Sequence, residues 1–317
     1  MMKITKITDF TSGKKIQGFF LCLEKHLRTT KSGDLYLDLI LQDSTGRINA
    51  KLWDMTDKYL DLFFKGDPVA VKGIPSTYQD ELQLTISHIS VADSARYGKY
   101  GFDPLNLVPS INESVEELQK RLSVIIKSVK TTHYRQLLKT IFKKYKSIIS
   151  ILPGSVSYHH PLRGGLLKHM VSCGEIAQAL SAHFTDMDGD LVICGVLLHD
   201  IGKVNGTKDD LNFISTDEGH FEGHIILGRD IIAEEVGNME KFPEKDKLKL
   251  LHIILSHQGT SSKGSPITPK FPEALLVHYI DEMDGKIEMM ERSIKEDLNS
   301  GEWTDNRNYF RTELWKG

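Results

Sequence analysis

The sequence predicts two domains of different class: a small barrel of five β-strands, then an all-α domain. Three observations carry this. Up to about Asp93, apolar and polar residues alternate with period two between short turns. From Val115 onward, apolar residues recur at three- and four-residue spacing. Between the two regimes, Tyr97 to Pro109 contains Gly98, Gly101, Pro104 and Pro109, the punctuation of a linker. The expected divisions are residues 1–95 for the barrel, 96–110 for the linker, 111–300 for the helical domain and 301–317 for a tail. A chain of 317 residues is long enough for two cores.

In the first domain, Gln17 to Lys25 reads as the first strand. Lys31-Ser32-Gly33-Asp34 turns the chain into a second, Leu35 to Leu41. Ser44-Thr45-Gly46-Arg47 turns it again into a third, Ile48 to Trp53. A short helix from about Asp57 to Lys65 precedes a fourth strand, Pro68 to Ile74, and a fifth, Leu82 to Val91. Three strands in a meander, a helix and two more strands is the order of an OB-fold barrel. The segment Leu39-Ile40-Leu41-Gln42-Asp43-Ser44-Thr45-Gly46, followed by Ala50-Lys51-Leu52-Trp53-Asp54, resembles nucleic-acid-binding OB domains. Such barrels hold single strands by stacking bases on exposed aromatics and tracking the backbone with cations. Tyr36, Trp53 and Tyr78, with Lys25, Arg28, Lys51 and Lys72, are the candidates. Each aromatic has the alternative of packing into the barrel or against its helix, as Trp53, Phe19 and Phe20 are expected to do. Strand register decides between them, because a slip of one residue exchanges the two faces.

In the second domain, Ser110 followed by Glu113 has capping-box spacing and marks the first helix start. Val115, Leu118, Leu122, Ile125, Ile126 and Val129 follow at helical spacing, as do Leu137, Leu138, Ile141, Phe142 and Tyr145. Pro272 is placed as the first residue of a late helix, whose apolar stripe reads Leu276, Ile280, Met283, Ile287 and Met290. The tail from Trp303 to Gly317 is aromatic and aperiodic, as expected of a segment lying over this chain or a second copy. That tail and the long helices make a homo-oligomer a candidate assembly.

Composition narrows the class. Hydrophobic residues make up 40% and charged residues 26%, which is ordinary for a globular protein. No apolar run approaches the roughly 18 residues of a membrane span, and the start of the chain carries no secretory pattern. Three cysteines, Cys22, Cys173 and Cys194, show no C-x-x-C spacing. Reduced thiols in a cytoplasmic protein are therefore expected, not a disulfide framework or a structural zinc site. A net charge of −3 neither advertises nor excludes a nucleic-acid partner.

The chemistry concentrates in Leu197-Leu198-His199-Asp200-Ile201-Gly202-Lys203. An apolar helix there ends on an adjacent imidazole and carboxylate, donors that suit Mn, Fe, Co or Ni, and the carboxylate can bridge two ions. A His-Asp pair alone is common by chance. His169 after the Gly164-Gly165 turn, His224, His257 and Asp281 supply the remaining donors. His252 and His257 are five residues apart, about 500° around a helix, and cannot share a target. His257, beside the loop Gly259 to Pro266, is the choice. Asp281 borders the apolar stripe, where a carboxylate is costly unless paired or metal-bound. Asp284, one turn on, is a supporting residue or a solvated one. Cys173 shares the His169 face, as a buried thiol or a ligand.

In this order the set resembles the HD metal-dependent phosphohydrolase superfamily. With the barrel in front and His159-His160-Pro161-Leu162-Arg163-Gly164-Gly165-Leu166 ahead of the first ligand, the chain is similar to the bacterial 3′-to-5′ exoribonuclease family of OB-plus-HD proteins. Ile254-Leu255-Ser256-His257 and Pro272-Glu273-Ala274 agree. The resemblance favours His224 over His220. It implies one ion on His169, His199, Asp200 and Asp281, and a second on His224 and His257, with Asp200 bridging. The metal is expected to be Mn2+, as one ion or two, with Co, Fe, Ni and Mg as alternatives. Lys203 would neutralise phosphoryl charge, and Arg163 would grip a phosphate. The implied activity is hydrolysis of single-stranded RNA, and of DNA as a further substrate, to nucleoside monophosphates. The alternatives are a nucleotide or cyclic-dinucleotide phosphohydrolase with a regulatory barrel, and a DNA-binding replication-associated factor. One departure stands out. The family usually carries a second histidine where this chain has Gln258, which weakens the expectation for the second ion.

Overall fold

The computed structural model describes residues 4–54, 56–79, 81–155, 159–208, 213–297 and 299–317, so residues 1–3, at the start of the segment tested for a secretory pattern, lie outside it. The chain separates into two compact units, with the change from one to the other at Ser110/Ile111.

The first unit is a closed barrel in the order β1-β2-β3-β5-β4. Its strands are β1 (Ile16–Thr29), β2 (Leu35–Asp43), β3 (Gly46–Leu52), β4 (Pro68–Tyr78) and β5 (Glu81–Val91). β1 pairs with both β2 and β4, and a bulge between Cys22 and Glu24 lets it bend from one to the other. β3 meets β5 in parallel, as an OB-fold barrel requires. Period-two alternation sends Leu37, Leu39 and Leu41 of β2 inward with Phe20, Val71 and Leu84. The helix between the third and fourth strands, α1 (Thr56–Leu60), is shorter than expected. Lys25 accounts for its end: Nζ donates to the carbonyls of Tyr59, Leu60 and Phe63 at 3.1, 2.6 and 2.6 Å, capping the last turn.

Residues 96–110 are not a free linker. A short helix, α2 (Ser94–Tyr97), and a 3-10 turn over Pro104–Leu107 lie within the barrel unit. Phe102, Leu107 and Val108 are buried there, and Phe102 meets Phe19 edge-on at 5.1 Å. Gly and Pro mark turns in this segment, while its apolar residues hold it down.

The second unit is helical. It comprises α3 (Val115–Ser128), α4 (Thr132–Lys144), α5 (Lys146–Ile149), α6 (Gly165–His183), α7 (Gly189–Leu198), α8 (Lys203–Gly206), α9 (Asp217–Phe221), α10 (Gly223–Gly237), α11 (Glu244–Ser256) and α12 (Pro272–Glu296). The first helix starts later than its Ser110 signal. The N-cap is Ser114, whose hydroxyl accepts from the Glu117 amide at 3.2 Å, while the Ile111 amide is taken by the Arg163 carbonyl. All residues from Leu191 to Leu198 are buried, so α7 runs through the core and carries the residues after it inside. Pro272 opens α12 as expected.

The stripe read on α12 is only partly the buried one. Leu276 and Ile280 are buried, but Met283, Ile287 and Met290 are exposed. The inner face is Val277, Ile280, Asp281, Asp284 and Gly285. The tail is ordered on this unit: Trp303 and Trp315 form an antiparallel bridge, and Lys316 pairs with Asp297 at 2.5 Å. No helix among the described residues is long and apolar enough to cross a membrane.

Candidate metal centre and strand-binding face

Five helices, α6, α7, α10, α11 and α12, deliver donors to one region of the second unit. His199 is the residue that ends α7, and its Nδ1–H donates to the Val196 carbonyl at 2.8 Å. His257 ends α11 in the same way, donating from Nδ1 to the Ile254 carbonyl at 2.7 Å. A carbonyl only accepts, so in both rings Nδ1 carries a proton, and the neutral form presents the Nε2 lone pair inward. His169 reaches the same tautomer from α6, with Nδ1 2.7 Å from Asp284 Oδ2. Asp284 also bonds His160 Nε2 at 2.9 Å and accepts from the Ser172 hydroxyl. It thus holds the His169 ring as carboxylates do for imidazoles that bind metals.

The inward atoms are close-set. His169 Nε2 lies 3.1 Å from His199 Nε2 and 3.3 Å from Asp281 Oδ1. His199 Nε2 lies 3.5 Å from Asp281 Oδ1 and 3.4 Å from Asp200 Oδ2. Donors bound at about 2.1 Å stand roughly 3.0–3.5 Å apart in octahedral or tetrahedral arrangement, so these four fit one divalent ion. The other carboxylate oxygen of Asp200 faces His224 Nε2 at 3.4 Å and His257 Nε2 at 3.9 Å. Asp200 Oδ1, His224 Nε2 and His257 Nε2 are all shielded from solvent without a hydrogen-bond partner among the described residues. Buried polar atoms ordinarily have partners, and a cation shared among these three would supply one. Asp200 thus joins two groups of donors, each with the geometry to hold a metal.

The electrostatics agree. Burial alone would neutralise the carboxylates. Lys203 and His199 beside Asp200, and His199 and His169 beside Asp281, hold both far below the usual carboxylate range. His199, opposed by burial, is pushed up to about 9 by Asp200 and Asp281. Burial lowers His224 to about 4 and His257 to about 3, leaving them neutral lone-pair donors. Burial likewise raises the Cys173 thiol to about 11, and its Sγ packs 3.6 Å from His169 Nδ1, the ring nitrogen turned away from the inward atoms.

Gly202 explains why the motif needs a glycine. A Cβ there would stand 1.9 Å from the His224 carbonyl and 2.4 Å from the Gly228 amide, so the first turn of α10 rests directly on its backbone. Gly202→Ala is expected to displace His224 and lower turnover about 100-fold, the scale of a 1 Å misplacement. A near-normal kcat would show that His224 is not positioned through this contact.

The centre borders a cleft of about 810 Å³ lined by His159, Lys203, His224, Asp281, Lys263, Lys286 and Tyr309, among others. Glu282 at its edge is held down to about 2 by Lys263 and Lys286. Two expectations for this region change. Lys203 lines the cleft, but its Nζ donates to Asp200 Oδ2 and to the Gly154 carbonyl, so in this structure it braces a candidate ligand. Arg163 lies over the Phe213 ring, 6.0 Å from its centroid, and does not line the cleft. His252 stacks on Phe271 and His220 is exposed, which leaves His257 and His224 at the centre. His159, Lys263, Lys286 and Tyr309 were not read from the sequence. For His159 the signal was its place in the pair before Pro161; for the others there was none.

On the barrel, Tyr36 of β2 and Trp53 after β3 stack at 4.6 Å, with Lys51 Nζ 5.4 and 5.5 Å from the two rings. Trp53 is 43% exposed, so it does not pack into the barrel as expected but lies on the Tyr36 ring. Arg28, opposite Tyr36 in register, pairs with Asp38 at 2.8 Å. Tyr78 stands at the β4–β5 hairpin, 61% exposed. Two candidates belong elsewhere. Lys25 is consumed in capping α1, and Lys72 lies beside Phe19, Tyr97 and Tyr100 on the β1–β4–β5 side.

An OB-type barrel is followed by a helical unit whose family match indicates a metal-dependent phosphohydrolase. Residues 166–286 match the HD domain, and residues 24–92 match the OB-fold nucleic acid binding domain. Among solved structures, the barrel is similar to the second OB-fold domain of replication protein A from Methanococcus maripaludis. The two are 20% identical over 29% of this chain and 96% of that one, with a TM-score of 0.25. It is also similar to the mitochondrial single-stranded DNA binding protein Rim1 of S. cerevisiae, 16% identical over 25% of this chain and 94% of that one, at a TM-score of 0.23.

Proposed function

We propose that this protein is a metal-dependent exonuclease that hydrolyses single-stranded RNA from its 3′ end and releases nucleoside monophosphates. One observation carries the reading: Asp200 presents its two oxygens to two separate groups of histidine lone pairs at the wall of an open cleft. Two divalent ions, if held there, would supply an activated water and charge neutralisation for in-line attack on phosphorus. Mn2+ suits a set of imidazole and carboxylate donors.

The chain's own residues do the rest. The Val196 and Ile254 carbonyls and Asp284 lock three imidazoles in the donor tautomer. Lys203 balances the Asp200 charge. Lys263 and Lys286 give the cleft cations for the phosphates of a strand, and Tyr309 gives a ring face for a base. A polymer makes use of these groups and of the Tyr36–Trp53–Lys51 platform, whereas a lone nucleotide has no need of the platform. The 3′-to-5′ direction rests on the family resemblance stated above.

The test uses purified protein with 5′-labelled single-stranded RNA and Mn2+, and EDTA as control, resolved on a sequencing gel. A descending ladder abolished by EDTA is the expected result. Intact RNA alongside turnover of a mononucleotide or cyclic dinucleotide would overturn it in favour of a small-molecule phosphohydrolase. Tight DNA binding with no turnover would leave a binding factor. For the barrel, Tyr36→Ala and Trp53→Ala are each expected to weaken RNA binding roughly ten- to hundred-fold, since a base stack contributes about 1–3 kcal/mol. Fluorescence anisotropy reads this, and unchanged affinity in both would remove the platform from the binding face.

A further inference from the structure

His159 stands just before the helix that carries His169, and its neighbour His160 explains where it points. His160 has a φ of +47°, a left-handed conformation that a side chain of this size rarely adopts. Three hydrogen bonds hold it there. Its amide donates to Glu288 at 2.9 Å, its carbonyl accepts from the Gly154 amide at 2.9 Å, and its ring bonds Asp284 at 2.9 Å. Strain of this kind persists only where the surroundings over-determine it. The effect is to separate the adjacent histidine rings, sending that of His160 to Asp284 and that of His159 to the ligand cluster.

The His159 ring sits 4.8 Å from that of His169, and it has a nitrogen within 4.8 Å of donor atoms of both His169 and Asp281. Gly285 of α12 makes room for it: a Cβ at that position would press to 3.3 Å on the His159 Cγ. His159 Nε2 is shielded from solvent and has no hydrogen-bond partner among the described residues. That is the same condition as Asp200 Oδ1, His224 Nε2 and His257 Nε2. Were Nε2 protonated, the Asp281 carboxylate would be the acceptor to hand, yet no such bond forms. A buried imidazole nitrogen without a partner, set beside a carboxylate and another imidazole, is satisfied when all three share a cation.

We propose that His159 is a fifth protein donor to the ion held by His169, His199, Asp200 and Asp281. The inference rests on the metal centre described above. With five protein donors on that side, a six-coordinate ion keeps one position for solvent or substrate. The more open side of the centre is then that of His224 and His257, where Gln258 also borders the cleft.

The experiment is Mn2+ titration by calorimetry of full-length protein stripped with EDTA. It compares wild type, His159→Gln, His159→Ala and, as a histidine outside the centre, His252→Gln. Pulsed EPR of the Mn2+-loaded proteins counts bound nitrogens, and circular dichroism in EDTA confirms that each variant is folded. His159→Gln and His159→Ala are expected to lose tenfold or more in Mn2+ affinity and one nitrogen coupling, with His252→Gln unchanged, because even residues that merely orient a ligand cost 10–100-fold. Wild-type affinity and an unchanged nitrogen signature in both His159 variants would overturn the proposal. If inorganic phosphate binding alone fell, His159 would be a phosphate contact and not a ligand. If the wild-type protein bound no Mn2+, the metal centre would fail as well, which separates the two readings.

Discussion

Asp200→Ala is expected to abolish metal-dependent hydrolysis while leaving single-strand binding intact. Asp200 is 1% exposed, and its two oxygens face different donor groups, so one substitution removes a ligand from both. Metal-assisted charge stabilisation contributes several kcal/mol at a phosphoryl transition state. At about 1.4 kcal/mol per decade, the loss is at least about a thousandfold in kcat. The alanine also leaves Lys203 facing only the Gly154 carbonyl, a partly buried ammonium without its counter-charge. Anisotropy with labelled RNA should be unaffected, because the Tyr36–Trp53 stack belongs to the other unit. The comparison to make is with Lys203→Ala, which keeps all ligands and should fall by one to two decades only, the scale for a residue that orients a ligand. If Asp200→Ala turned RNA over at a tenth of the wild-type rate or better, Asp200 could not join two ions.

How much of this was legible in the sequence follows from where each residue's partners lie. His199 and Asp200 could be read because they are adjacent and end a run with no polar face. A helix of that kind must be central, and whatever follows it is carried into the core. The barrel could be read because strand alternation and turn residues are local properties. Lys25 could not: its partners are the carbonyls of Tyr59, Leu60 and Phe63, 34 to 38 residues away. α12 misled for a physical reason. Its inner face carries Asp281, Asp284 and Gly285 because the ligand cluster and the His159 ring occupy the space there. Apolar periodicity therefore marked Met283, Ile287 and Met290, which face outward. His159 is the same lesson in small. Two histidines before a proline are visible in the sequence, but a left-handed backbone at His160 decides which of them meets the ligands.

Binding of Mn2+ is expected to stabilise the EDTA-treated protein strongly, and by an amount that grows with pH. A ligand held only by the native state, at a thousand times its dissociation constant, adds about 4 kcal/mol. For a helical unit of this size each kcal/mol moves Tm by about 2–4 °C, giving an increment of roughly 8–16 °C. The pH dependence follows from opposed histidines in the metal-free cluster. His199, lifted to about 9 by Asp200 and Asp281 against burial, stabilises the fold fully below its unfolded value of about 6.5. That contribution disappears as pH rises through 9. His224 and His257, lowered by burial to about 4 and about 3, act in the other direction. They stay neutral when folded while the unfolded chain takes up protons, so stability falls as pH drops below about 6.5. The metal-free Tm is thus expected to peak near pH 6.5. An ion displaces the protons held by His169 and His199, because only the neutral imidazole ligates. The Mn2+ increment should therefore rise steadily from pH 6.5 to 8.5, with proton release visible in calorimetry as a dependence of the binding heat on buffer. A pH-independent increment with no proton release would mean that the imidazoles of the metal-free cluster are already neutral.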